Sequence, residues 1–181
     1  MDNIFEADMN LKKSFEWGDI GDIKLGRGDL GEEMPIALYR LMQFTMVDVL
    51  TDEFGIKKAN EFLYKAGYLA GEEFAKNLLD TTLEFNSFIA HLQEVLKELK
   101  VGILRMEYFN GETGEMTLTV AEDLDCSGLP VTGEAVCVYD EGFIAGILLV
   151  YTGKKYTVNE VDCWATGDRV CRFKAVVAQK D

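Results

Sequence analysis

The strands of this chain come in close pairs, and that limits its fold more than any other feature. "GILRMEYF" and "EMTLTVAED" flank the turn Asn110-Gly111-Glu112-Thr113-Gly114, while "KKYTVNEVDCW" and "RVCRFKAVV" meet at Thr166-Gly167-Asp168. A parallel crossover takes about a dozen residues or more. Connections this short therefore make each pair an antiparallel hairpin. Helical spacing precedes the first pair and separates it from the second. Strands grouped in this way, rather than alternating with helices, predict an α+β fold with a mostly antiparallel sheet packed against helices.

The helices are read from their period. "PIALYRLMQFTMVDVLTDEFG" places Ile36, Leu38, Tyr39, Met42, Met46, Val49 and Leu50 at helical spacing, with Pro35 suited to the first turn and Gly55 to the end. A second helix spans about 57–79, with a stripe of Ala59, Phe62, Leu63, Ala66, Leu69, Ala70, Phe74 and Leu78. Gly67 and Gly71 sit in its middle, where each costs about 1 kcal/mol relative to alanine. Close approach of another helix, or of a ligand, would offset that cost, and helix packing is the more common reason. "NSFIAHLQEVLKELK" reads as a third helix capped by Asn86 or Ser87. A fourth, amphipathic or buried, is expected from about 134 to 151. Residues 1–34 read as a glycine-rich N-terminal arm with one or two short strands, and 35–181 as a single domain.

"GRGDLG", Gly26 to Gly31, matches the dinucleotide-binding fingerprint letter for letter. That chemistry needs a strand before the glycines and a βαβ unit around them. Here two helices follow in succession, so the stretch reads as a turn.

The formal charge is −14, from 18 basic and 32 acidic residues. Such a surface repels phosphate backbones and anionic membranes, so neither nucleic acid nor membrane is an expected partner. The N-terminal stretch lacks the basic start and apolar core of a signal peptide. The longest apolar run, "FIAGILLVY", is too short to span a bilayer. These features predict a cytoplasmic protein, in which thiols stay reduced.

Four cysteines then ask for an explanation. Cys163 and Cys171 lie four residues either side of Gly167, so a hairpin centred there sets them opposite each other. Cys137 falls at the start of the fourth helix, where a helix N-terminus favours the thiolate. Glu160 is near in sequence, but positions 160 and 163 of a regular strand face opposite ways. If both serve one ion, the strand must break at Val161-Asp162. Spacing alone leaves three readings open: a metal site, buried free cysteines, or a redox pair.

"CSGLPVTGEAVCVYDEGFIAGILLVYTGKKYTVNEVDCWATGDRVCRF" resembles the 4-vinyl-reductase domain family, which includes the effector-sensing domains of bacterial activators that respond to phenols and other aromatics. "EFLYKAGYLAGEEFA" resembles that family's glycine-bearing helix, so the resemblance covers about 30–177. It implies a fold shared with small subunits of the TRAPP vesicle-tethering complex, pairing as homodimers, and an apolar pocket between helices and sheet. It also implies zinc. The phenol sensors hold it with Cys, Glu, Cys and Cys at separations of 23, 3 and 8, and Cys137, Glu160, Cys163 and Cys171 repeat those separations. Cys126 falls outside the set and reads as a loop thiol nearby.

The function that follows is a stand-alone sensor or carrier of a small hydrophobic or aromatic molecule, with a structural zinc. Candidate pocket residues are Met42, Met46, Phe62, Tyr68, Phe85, Phe88, His91, Tyr108, Phe143 and Trp164, although each also suits ordinary core packing. The alternatives are an enzyme or accessory protein acting on a tetrapyrrole vinyl group, and a dimeric scaffold. The chain shows no effector module, so a signal is expected to leave through a protein partner or a change of dimer state.

Overall fold

The computed structural model describes residues 15–179. Two compact units divide the chain, Met1–Glu32 and Glu33–Asp181. In the first, a 3-10 turn at Trp17–Ile20 is followed by one helical turn, α1 (Ile23–Gly26). The short strands expected in the arm do not occur among its described residues, and the expectation for residues 1–14 lies outside them. Asp19 and Asp22 accept the backbone N–H groups of Glu16 and Leu25, which curls the chain locally and takes those donors from any ladder. Gly26 ends α1, so the glycine fingerprint has neither the strand before it nor the βαβ frame it needs.

The second unit runs α2 (Ile36–Phe54), α3 (Ile56–Leu78), α4 (Phe85–Glu98), β1 (Ile103–Phe109), β2 (Met116–Ala121), α5 (Val138–Thr152), β3 (Tyr156–Asp162) and β4 (Cys171–Val177). The sheet order is β1-β2-β4-β3 and every pairing is antiparallel. Both expected hairpins form, and β2 pairs with β4 to join them. Along β4, Cys171, Phe173 and Ala175 point inward. They meet Phe88, Leu92 and Leu96 of α4 and Ala145, Ile147 and Leu148 of α5 in one core. Among the described residues no helix is long and apolar enough to cross a membrane.

Two helix starts differ from the spacing. α4 begins at Phe85, with no side-chain cap from Asn86 or Ser87. Phe85 stacks on Phe109 at 3.9 Å between centroids, which fixes the entry of the chain. α5 begins at Val138 rather than near 134. Thr132 and Gly133 both donate to the Ala165 carbonyl, so the preceding segment is tied to the β3–β4 connection before the helix can start.

Glycines set the central helix pair. α3 and α5 pack in parallel, with Gly67 and Gly71 of one facing Gly142 and Gly146 of the other. A Cβ at Gly67 would fall on the Tyr139 carbonyl, and one at Gly142 on that of Tyr64. The two helices therefore touch backbone to backbone, and helix packing accounts for Gly67 and Gly71.

Candidate functional site: a cysteine cluster beside an apolar cavity

Four elements deliver the four thiols. Cys137 is the N-cap of α5, and Cys163 leads from β3 into a 3-10 turn at Trp164–Thr166. Cys171 opens β4, and Cys126 sits in the loop after β2. The turn between Cys163 and Cys171 is held by the Cys163 N–H on Thr166 Oγ1 (3.1 Å) and by Gly167, whose φ of 106° suits glycine. All four side chains are buried and free of disulfides.

The four Sγ atoms lie within 4.8 Å of one another. Cys137 to Cys163 is 3.8 Å, Cys137 to Cys171 is 3.7 Å, and Cys126 to Cys171 is 3.0 Å. A tetrahedral ion with metal–sulfur bonds of about 2.3 Å needs sulfurs about 3.8 Å apart. Two separations already match, and the third is tighter. The donor set therefore fits a thiophilic ion.

Cys126, set aside on spacing, is thus inside the cluster. Asp123 Oδ1 accepts the N–H groups of Asp125 (2.8 Å) and Cys126 (3.1 Å), winding a turn that points Cys126 inward. Sequence spacing carries no sign of that turn. Glu160 stands beside the cluster. Its Oε2 accepts the Cys137 N–H at 3.1 Å, while its buried Oε1 has no partner. The expected break in the strand is present: the β3–β4 register shifts between Glu160 and Asp162, with Val161 as the extra residue. Cys163 follows the last paired rung, Asp162 with Arg172, rather than forming one with Cys171.

Charge is unevenly shared. Hydrogen bonds from Cys137 and Cys171 pull the Cys126 thiol down to about 6. The same bonding pushes Cys137 up, first through Cys126, and this outweighs the helix terminus expected to lower it. Cys171 is raised chiefly by Cys126, and Cys163 by burial. Glu160 is pushed up to about 7 by burial and then by Cys171, against the hydrogen bonds from Cys137.

Carboxylates adjoin the thiols, and among 32 acidic residues nothing in the sequence marked them. Asp123 is pushed up to about 7 by burial, then by Cys171 and Asp125. Asp140 is raised well above the carboxylate range by burial, then by Asp123 and Asp125. Asp125 Oδ1 accepts the Tyr39 hydroxyl at 2.8 Å. Arg40 donates to the carbonyls of Asp123, Leu124 and Ser127, pinning α2 to this loop.

An apolar cavity of about 40 Å³ opens between α4, α5, β1 and β2, with Asp123 and Asp140 on its wall. Of the ten pocket candidates, only Phe143 lines it. Met42 and Met46 are exposed on α2, and Tyr108 is exposed on β1. Phe62 packs edge-on against Phe54, and Tyr68 stacks on Tyr64 at a separate surface groove. Phe85 and Phe88 pack with Tyr151 in the core, the latter stacked at 3.7 Å. His91 is half-buried on α4 away from the cavity wall, and its charge lowers the Asp80 carboxyl, behind that group's bonds to Thr82. Trp164 donates from Nε1 to the Leu129 carbonyl at 3.0 Å, bracing the cysteine loop. Large aromatic residues at helical spacing were consumed by packing, as such residues usually are.

The fold and site have relatives. Residues 116–177 match the family model of the 4-vinyl-reductase domain. A protein of Methanocaldococcus jannaschii, the uncharacterized MJ1642, is 30% identical over 146 residues, which are 81% of this chain and 80% of that one. The phenol-responsive sensory domain of the transcription activator PoxR, solved with phenol, superposes with a TM-score of 0.58 at 14% identity, covering 81% of this chain and 76% of that one. Subunit 3 of the trafficking protein particle complex from Naegleria fowleri, covalently bound to palmitic acid, gives 0.63 at 14% identity, covering 80% and 95%. At these identities the two solved structures speak to the fold, which is the α+β arrangement expected from the paired strands. Extended similarity to MJ1642, together with the match over β2 to β4, means that this chain belongs to the 4-vinyl-reductase domain family.

Proposed function

We propose that this chain is a small-molecule-binding domain, a sensor or carrier, whose pocket wall is held in place by a structural zinc ion. The observation that carries the reading is that one helix serves both places. α5 bears Cys137 at its N-cap and presents Phe143, Ile144, Ile147 and Leu148 to the cavity. The solved neighbours add support, since one binds phenol and the other carries a palmitic acid.

Zinc would sit on Cys137, Cys163 and Cys171, with Cys126 as the fourth ligand. The family spacing points instead to Glu160, whose carboxylate here is engaged with the Cys137 N–H. Either set fills four positions with protein atoms, which suits a structural ion rather than a catalytic one. Bound there, zinc would supply positive charge to a group of thiols that otherwise share protons, and folding energy with it. The cavity of about 40 Å³ is small. An engineered cavity of about 150 Å³ holds benzene. A monocyclic ligand must therefore part α4 from α5 and the sheet, and binding would favour that open arrangement. α2 offers the homodimer contact, which would pass the change to a second subunit or to a protein partner.

Elemental analysis of the purified chain should find one zinc per chain, and a chelator should lower its melting temperature. A metal-free protein indifferent to chelator would sink the metal reading. Mass spectrometry of the denatured protein should find a co-purified apolar molecule. In the cobalt-substituted protein, Cys126→Ser should remove about a quarter of the sulfur-to-metal charge-transfer absorbance, as one thiolate in four. No loss there, with loss of binding in Glu160→Gln, would return the fourth position to Glu160.

A further inference from the structure

The cavity is hydrocarbon except at one end. Leu92, Leu104, Met116, Leu118, Phe143 and Leu148 contribute to its wall, and its polar lining residues are Asp123 and Asp140. No lysine, arginine or histidine lines it. Asp123 Oδ1 is committed to two backbone N–H groups, while Asp140 Oδ2 is sealed from solvent and has no hydrogen-bond partner. The two carboxyls approach within 4.8 Å of each other and of Cys137 Sγ. Arg40 directs its donors to backbone carbonyls and Tyr39 donates to Asp125, so neither serves Asp140.

A buried carboxyl with an unused oxygen at the end of an apolar chamber calls for a donor from outside the chain. Charge narrows the kind of donor. Asp125 stands next to this pair, and a divalent ion on four thiolates would leave the adjoining site negative as well. A hydroxyl head would satisfy the oxygen but leave the charge. An acceptor head would leave both, and an anion would be repelled. Only an ammonium group answers the hydrogen-bond and the charge deficits together.

We propose that the cavity selects apolar amines, with the ammonium docked between Asp123 and Asp140 and the hydrocarbon tail lying between α4, α5 and the sheet. This rests on the ligand-binding reading above and specifies the ligand's chemistry. The small volume favours a short, unbranched tail, and longer amines enter only as the walls part.

The test uses the full chain as purified, near neutral pH and at physiological salt, with n-butylamine, n-butanol and butyrate as probes followed by ligand-observed NMR and calorimetry. Butylamine should bind about tenfold more tightly than butanol, and butyrate should not bind. Methylamine, which keeps the charge without the tail, should show no binding. Asp140→Asn should bring butylamine down to the level of butanol and leave butanol unchanged, with zinc content and circular dichroism as for the wild type. Ile144→Phe, which fills the hydrocarbon end, should abolish butylamine binding and serves if Asp140→Asn does not fold. Equal binding of butanol and butylamine would overturn the amine preference while leaving an apolar binding site in place. Methylamine binding as well as butylamine, or butylamine binding undiminished in either variant, would assign the effect to the acidic surface and overturn the proposal. If no probe binds, this inference and the ligand-binding reading fall together.

Discussion

α2 and α5 are both apolar on nearly every side, and they meet opposite fates. α5 is wedged between α3 and the sheet, with Gly142, Ala145, Gly146, Ile147 and Leu148 buried. α2 buries no residue over its 19 positions. Leu38, Leu41, Met42, Met46 and Val49 all stand exposed. Apolar composition alone therefore does not place a helix inside. α5 is buried because its glycines match those of α3, so the backbones meet and dispersion contacts form along the whole crossing. α2 has no such face. It is fastened by Tyr39 and Arg40 to the loop that carries Cys126, and by Phe54 against Phe62. A monomer seldom leaves so large an apolar strip in water, which is why we assign it to a second copy of the chain.

The deepest way to break this contrast is to untie α5 at its N-terminus. Cys137→Ser should abolish zinc binding and lower stability by several kcal/mol, because structural metal binding is folding energy. Melting followed with and without chelator would check it: the variant should resemble the chelated wild type. Unchanged melting would mean that the thiols are only packed.

Next in size is Gly67→Ala. In an exposed helix this change stabilises by up to about 1 kcal/mol. Here the new methyl falls on the Tyr139 carbonyl, so α3 and α5 must separate, at a net cost of about 3 kcal/mol. Chemical denaturation would measure it. A stabilised protein would show that the crossing can slide. Tyr39→Phe comes third. It removes the hydroxyl from Asp125 and should cost about 1–2 kcal/mol, the usual value for a hydrogen bond to a charged group.

These sites also show what the sequence could and could not reveal. Period and turn length predicted both hairpins and every helix of the second unit, because those patterns are local. The bulge at Val161 followed from requiring Glu160 and Cys163 to reach one place. Cys126 did not follow, since its position depends on Asp123 gathering two N–H groups in a loop that carries no periodicity. Asp140 was hidden for another reason. Its role comes from what α4 and the sheet fail to offer it, and a missing partner leaves no mark on the residue's own neighbours in sequence. The pocket aromatics were misplaced because spacing shows which side of a helix is apolar but not which apolar side chain borders a void.

Smallest in folding energy, and most decisive for α2, is Leu41→Lys. Leu41 is 62% exposed in the isolated chain, so the change should alter monomer stability by no more than about 0.5 kcal/mol. On a dimer that buries this strip it should act strongly. The lysine would bring a charge into an apolar seam, next to its own copy across a two-fold axis if Leu41 lies near that axis, and the interface would have to accommodate both. Analytical ultracentrifugation should then find wild type as a dimer and Leu41→Lys dissociating at least tenfold more readily, with matching melting curves at high dilution. If both sediment as monomers, α2 is not a self-association surface and its strip belongs to a different protein. If both sediment as equally tight dimers, the seam lies elsewhere, and α2 is exposed in the assembly as it is in the chain.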